Sequence, residues 1–151
     1  MNKDLLIYEM SKWSSTEKYG YFITLDGMTK DKIKFEQDLG VMSHKLNDYC
    51  FGRSYKRKDK RLKIIAGIEN GRLNGILHAH LVVTFDEQMN RSINEIDRHV
   101  RKHWYSLIGL KNSYGSMVDI RYMGNLNERI AYITKDTNYL MQHDSFNIIV
   151  L

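Results

Sequence analysis

The chain has 151 residues, 42% hydrophobic and 27% charged, with a formal net charge of +5, which suits one compact domain with a real apolar core. The longest apolar run, Ile76 to Phe85, contains two histidines and falls far short of the roughly 20 residues that span a bilayer, so no membrane span is expected. Met1 to Lys12 offers neither a signal-peptide core nor a small-residue cleavage site, which points to the cytoplasm, and the lone Cys50 has no partner for a disulfide or a cysteine-based zinc site and is assigned no chemistry.

No repeat, proline or Gly/Ser linker interrupts the chain, so residues 1–151 are expected to form a single domain. Tyr19 to Leu25 is rich in aromatic and β-branched residues and stops at Asp26-Gly27, which predicts a strand and a turn. Asp31 to Tyr49 carries Ile33, Phe35, Leu39, Met42, Leu46 and Tyr49 at helical spacing. Between Arg53 and Lys63 lie seven basic residues against one acid, Asp59. Clustered Lys and Arg release counterions from nucleic acid, so Arg53, Lys56, Arg57, Lys58, Lys60 and Arg61 are candidate phosphate contacts, with Tyr55 available to stack on a base. A solvated loop would look the same by charge alone.

Leu62 to Glu69 and Ile76 to Phe85 read as two strands joined by a reversal at Asn70 to Gly75, whose Asn-Gly pairs favour a hairpin. Ile93, Ile96, Val100, Trp104 and Leu107 form a helical stripe ending near Gly109, and Ser116 to Tyr122 is another short strand. Asn125 can cap a last helix, with Glu128 three residues on and a stripe of Leu126, Ile130, Ile133, Thr137 and Leu140. Asn147 to Leu151 reads as a closing strand. The order predicts an α+β fold, an antiparallel sheet flanked by helices, of the split βαβ kind that RNA-recognition modules also use. Fold alone therefore says little about chemistry.

Period two along Ile76 to Phe85 puts His78 and His80 on one face and an apolar set on the other. Two imidazoles at that spacing can reach one cation, and with oxygen ligands they suit Mn²⁺, Zn²⁺, Co²⁺ or, less comfortably, Mg²⁺. An isolated His-x-His is weak evidence, since two ordinary core or surface histidines look alike. If the hairpin pairs Asn70 with Gly75, Glu69 falls opposite Ile76 and joins the histidine face as a third ligand; a slip of one residue would send it to the other face. Tyr132 and Lys135, at i and i+3, share one side of the last helix. A phenol with an ordinary pKa near 10 needs a cation or base beside it to act as a nucleophile. Tyr139, two turns further on, is a second nucleophile or, in the favoured reading, a packing aromatic. His44, His99 and His103 are ordinary helical histidines, and His143 lies about three turns beyond Tyr132 if the helix runs that far.

Tyr21-Phe22-Ile23-Thr24-Leu25 on a strand, His78-Ala79-His80 inside an apolar strand and Tyr132-Ile133-Thr134-Lys135 on a helix resemble, as an ordered set covering most of the chain, the three motifs of the HUH endonucleases. The Tyr-x-x-Lys form is similar to that of rolling-circle replication initiators. The resemblance implies a fold of the HUH nuclease kind and an enzyme that nicks and rejoins single-stranded DNA at a replication origin, with a stem-loop as one form of substrate. It further implies Tyr132 as the nucleophile that becomes linked to the 5′ phosphate, Lys135 assisting, and a divalent ion, Mn²⁺ or Mg²⁺, held by His78, His80 and Glu69. The sequence departs from larger initiators in having no Gly-x-x-x-x-Gly-Lys-[Ser/Thr] loop, so a host or separate helicase is an expected partner. The rivals are an HUH transposase or relaxase of a mobile element, and a binding module without catalysis that stacks single-stranded nucleic acid on Tyr21 and Phe22.

Overall fold

The structure, a computed structural model, describes Tyr8, Lys12 and residues 19–58, 60–71, 73–85, 89, 91–110, 117–135, 139–144 and 147–150, with side chains up to residue 133. In chain order the elements are β1 (Tyr19–Asp26), α1 (Lys32–Phe51), the short α2 (Arg53–Lys56), β2 (Lys63–Asn70), β3 (Leu77–Phe85), α3 (Ile93–Leu107), β4 (Val118–Tyr122), α4 (Leu126–Lys135), β5 (Tyr139–Asp144) and β6 (Asn147–Val150). The helix starts follow their caps. The Asp31 side chain accepts from the Lys34 amide, Ser92 and Glu95 form a reciprocal capping box, and Asn125 Oδ1 accepts from the Glu128 amide at 3.0 Å. No helix among the described residues is long and apolar enough to cross a membrane.

The six strands form one sheet in the order β4-β1-β3-β2-β5-β6, every neighbouring pair antiparallel. β3 runs between β1 and β2 and against both, which is the split βαβ arrangement and is compatible with a ferredoxin-like fold. Strand alternation then divides the side chains between two unequal cores. Tyr21, Ile23 and Leu25 of β1 join Ile64, Ala66 and Ile68 of β2 and the odd-numbered residues of β3 against Phe35, Leu39, Met42 and Leu46 of α1 and Ile96, Val100 and Trp104 of α3. The opposite face carries a smaller cluster of Phe22, Ile65, Val82, Met123, Ile130 and Ile133, the last two from α4. Beyond that cluster the same face carries Thr24, Asp26, Glu69, His78 and His80, because each pairs across the ladder with another of them or continues its alternation.

Two expectations change. The stripe from Leu126 was expected to keep the last helix going through Thr137 and Leu140, but α4 ends at Lys135 and Leu140 lies in β5, opposite Gly67 of β2; Thr137 lies outside the described residues. The open edge of β2 explains the switch, since its backbone groups need partners that a longer helix would not give. Tyr139 and His143 are consequently strand residues, paired with Ile68 and Ile64, and neither is placed along a helix from Tyr132. The hairpin register also differs. Asn70 pairs with Leu77 and Glu69 with His78, while Gly71 N donates to Ile76 O at 2.8 Å and Gly75, at φ 70, donates to Gly71 O at 2.9 Å. From Asn70 the reversal thus encloses two more residues than one closed by Asn70 and Gly75, and the shift of two residues preserves the face of every side chain.

The seam between α1 and α3 holds a titratable stack. The Tyr49 and His99 rings lie parallel with centroids 4.0 Å apart, and His103 meets His99 at 4.4 Å. Burial, and then the neighbouring His103, Lys102 and Lys45, push the His99 imidazole down to about 4, against the pull of its hydrogen bond to Lys45 O. Its unfolded counterpart titrates near 6.5, so the unfolded chain binds more protons between these values. The stability this residue contributes is present above about pH 6.5 and is lost as pH falls towards 4. The melting temperature of His99→Gln should therefore fall less than that of the wild type between pH 6.5 and 4; parallel curves would remove His99 as the cause. Cys50, nearby, is protonated at neutral pH because burial pushes its thiol up to about 12, Arg91 opposing.

Candidate metal centre beside Tyr132

Two alternate rungs of the sheet, which share one face, build the site. On one, Glu69 of β2, His78 of β3 and Asp26 of β1 pair in a row; on the next, Gly67, His80, Thr24 and Asp119 of β4 do the same. All project from the face that α4 leaves partly open. Glu69 Oε2 lies 2.8 Å from His78 Nε2 and 3.9 Å from His80 Nε2, and one ligand atom from each of the three residues falls within 4.8 Å of the others. Among the described residues this is the one group of His, Cys, Asp and Glu that could hold a metal ion. Metal bonds of about 2.1 Å place two donors at most about 4.2 Å apart, so a small closing movement of the side chains would suffice. Two imidazoles and one carboxylate also leave coordination positions for a substrate oxygen.

The surroundings favour that use of the histidines. Burial holds the His80 imidazole below its ordinary range; Glu69 and Asp26 oppose this and His78 adds to it. Neutral imidazole is the form that ligates metals. Thr24 Oγ1 lies 3.0 Å from His80 Nδ1. With the proton assigned to Nδ1 and donated to the hydroxyl, the Nε2 lone pair is directed at Glu69 and His78. Thr24→Val is expected to weaken Mn²⁺ binding about 10-fold and Thr24→Ser to restore it, as read by titration calorimetry. Equal affinities in all three proteins would mean that the hydroxyl does not orient the ring.

Tyr132 projects from α4 at the border of this group and is 53% exposed. Its ring meets His80 edge-on at 5.3 Å and Phe22 edge-on at 5.8 Å, while Phe22 stacks parallel to His80 at 5.8 Å. A candidate nucleophile and a candidate ligand are therefore in direct contact. Lys135 closes the last turn of α4, and its side chain lies outside the described residues.

The basic stretch is placed elsewhere. Arg53, Lys56, Arg57, Lys58, Lys60 and Arg61 are exposed, but they follow α1 and lead into the start of β2, where Lys63 pairs with Thr84. Six residues of strand, roughly 20 Å at about 3.3 Å each, separate Lys63 from Glu69. Tyr55 is not available to stack on a base. Only 6% exposed, it turns inward from α2 and its hydroxyl bonds His44 Nδ1, an aromatic among cations that burial of a small core satisfies better than solvent.

Sequence reasoning named Thr24 only as part of a strand motif and did not single out Asp26 or Arg129. The Arg129 guanidinium carbon sits 4.4 Å above the Phe22 ring and its Nε donates to Met123 O at 2.8 Å. Strand alternation alone would have put Thr24 and Asp26 on the face opposite Leu25; their distance from the histidines depends on which strand lies beside β3. Comparison of the chain with protein-family models, with curated proteins and with solved structures finds no match.

Proposed function

We propose that this protein is a metal-dependent endonuclease of the HUH type that nicks and rejoins single-stranded DNA through Tyr132, acting as a replication initiator. The observation that carries the reading is the contact between the exposed Tyr132 ring and His80, a member of the two-histidine, one-carboxylate group. A phenol with that neighbour has little use in a core and a clear one in phosphoryl transfer.

Glu69, His78 and His80 would hold Mn²⁺ or Mg²⁺, which when bound polarises the scissile phosphate and offsets its growing charge. The Tyr132 phenolic oxygen attacks phosphorus, the bond from phosphorus to the 3′ oxygen breaks, and the 3′ oxygen leaves with a proton in place of the one the phenol gave up. The products are a 5′-phosphotyrosine and a free 3′ hydroxyl able to prime synthesis. In the reverse step a 3′ hydroxyl attacks the phosphotyrosine and the strand is rejoined. Since the ester bond is conserved, nicking and rejoining need no nucleotide hydrolysis. Lys135, at i+3 from Tyr132, would orient the phosphate or take up the phenolic proton.

A binding module without catalysis fits less well, since the aromatics it would offer, Tyr21 and Phe22, are 6% and 5% exposed. The experiment is incubation of the protein with Mn²⁺ and a labelled single-stranded oligonucleotide library, resolved on denaturing gels that retain protein-linked DNA. Nicked product with a covalent 5′ adduct, abolished by chelation, is the expected result. Binding without any cutting would return the choice to the binding module, and cutting confined to hairpin element ends would favour a transposase.

A further inference from the structure

Arg129 precedes Tyr132 by three residues on α4, so the two side chains leave neighbouring parts of one helical face, about 4.5 Å apart along the axis. The guanidinium is held twice, by its Nε bond to Met123 O and by its position over Phe22. That same ring stacks on His80 and meets the edge of Tyr132. Arg129, the candidate nucleophile and a candidate metal ligand thus surround a single buried aromatic. Among the described residues, Arg129 makes no ion pair, and neither Nη group donates to a protein acceptor. A half-buried cation whose plane is fixed and whose fork is unspent is the arrangement that recognises phosphate in two-point fashion.

We propose that Arg129 binds a backbone phosphate of the single strand adjacent to the phosphate that Tyr132 attacks. The inference rests on the nickase reading and adds to it a binding position on the α4 side of the site, over Phe22, with the His80 rung between it and the rung of Asp26 and Glu69. With the long basic stretch at the far end of β2, this contact is what holds the strand at the reacting tyrosine. A merely structural role is the alternative, with Arg129 fastening the turn between β4 and α4 through Met123 O.

The two are separated by salt dependence. In a Tyr132→Phe background, which prevents cutting, fluorescence anisotropy with a labelled random single strand of about 20 nucleotides is measured over a series of salt concentrations with Mn²⁺ present. Loss of one phosphate contact lowers the slope of log affinity against log salt by about 0.7 for single strands. Arg129→Gln is expected to show that drop and a 5- to 10-fold weaker affinity (about one order of magnitude or less at low salt). Arg129→Lys keeps the charge but forfeits the Nε bond and the fork; it should keep the slope and bind with intermediate affinity. Arg98→Ala, on α3 in the other layer, should change neither. If Arg129→Gln melts as a folded protein and binds with an unchanged slope, the phosphate contact is overturned while the nickase reading stands. If the folded parent binds no single strand at any salt concentration, the DNA reading falls and this inference with it.

Discussion

Tyr132→Phe is expected to abolish nicking and the covalent adduct while leaving metal binding and single-strand binding intact. The substitution removes one oxygen from a ring that is 53% exposed and touches His80 and Phe22 through its face and edge, so packing is preserved. Removing a nucleophile lowers the rate by on the order of 10³-fold or more, the remainder being catalysis by binding and electrostatics. The measurement is single-turnover cleavage of the oligonucleotide found by library selection, with the adduct counted after denaturation. A mutant that cuts at the wild-type rate would move the nucleophile elsewhere, and residual cutting without adduct would point to water as the attacking group.

Removal of one imidazole from the metal group has an effect of similar size and a second readout. His80→Ala deletes a candidate ligand whose side chain is nearly buried, 11% exposed, and shared between Thr24 and the group around Glu69. Affinity for Mn²⁺ should fall by on the order of 10²-fold or more, since even loss of an outer hydrogen-bond partner costs 10- to 100-fold. Binding to the folded state alone at about 100 times the dissociation constant stabilises by about 2.7 kcal/mol, equivalent to roughly 5–10 °C for a chain of this size. The wild type should therefore melt higher with Mn²⁺ than with chelator, and His80→Ala should melt at the same temperature under both conditions. A metal-independent melting temperature in the wild type would empty the proposed centre of its meaning. A response retained in His80→Ala would place the ion elsewhere.

Most of the elements were legible because their signals are local. Period two in β3 put His78 and His80 on one face before any partner strand was known, and Glu69 joined them although the assumed register was wrong, because an error of two residues leaves parity unchanged. What escaped depends on distant neighbours. The stripe from Leu126 to Leu140 is helical in spacing throughout, and only the open edge of β2 draws Tyr139 to Asp144 into the sheet. Tyr55 sits in a run of cations whose composition gives no hint that one ring folds back on His44. Thr24 is an unremarked strand residue until β1 is known to lie beside β3, where it pairs with His80. Composition likewise located the charge but not its distance from the site.

The candidate ligands and the candidate nucleophile belong to different mechanical parts. Glu69, His78 and His80 stand on strands locked into the middle of the sheet by ladders on both sides. Tyr132 stands on a ten-residue helix seated on the sheet through a small apolar cluster. Phe22 belongs to that cluster and also stacks on His80, while Tyr132 touches His80 directly, so helix and ligand group meet through two aromatic side chains. On the proposed mechanism, tilting the helix would move the Tyr132 oxygen while Glu69, His78 and His80 kept their places on the strands, so a DNA strand pulling on α4 would act on the candidate nucleophile before the candidate ligands.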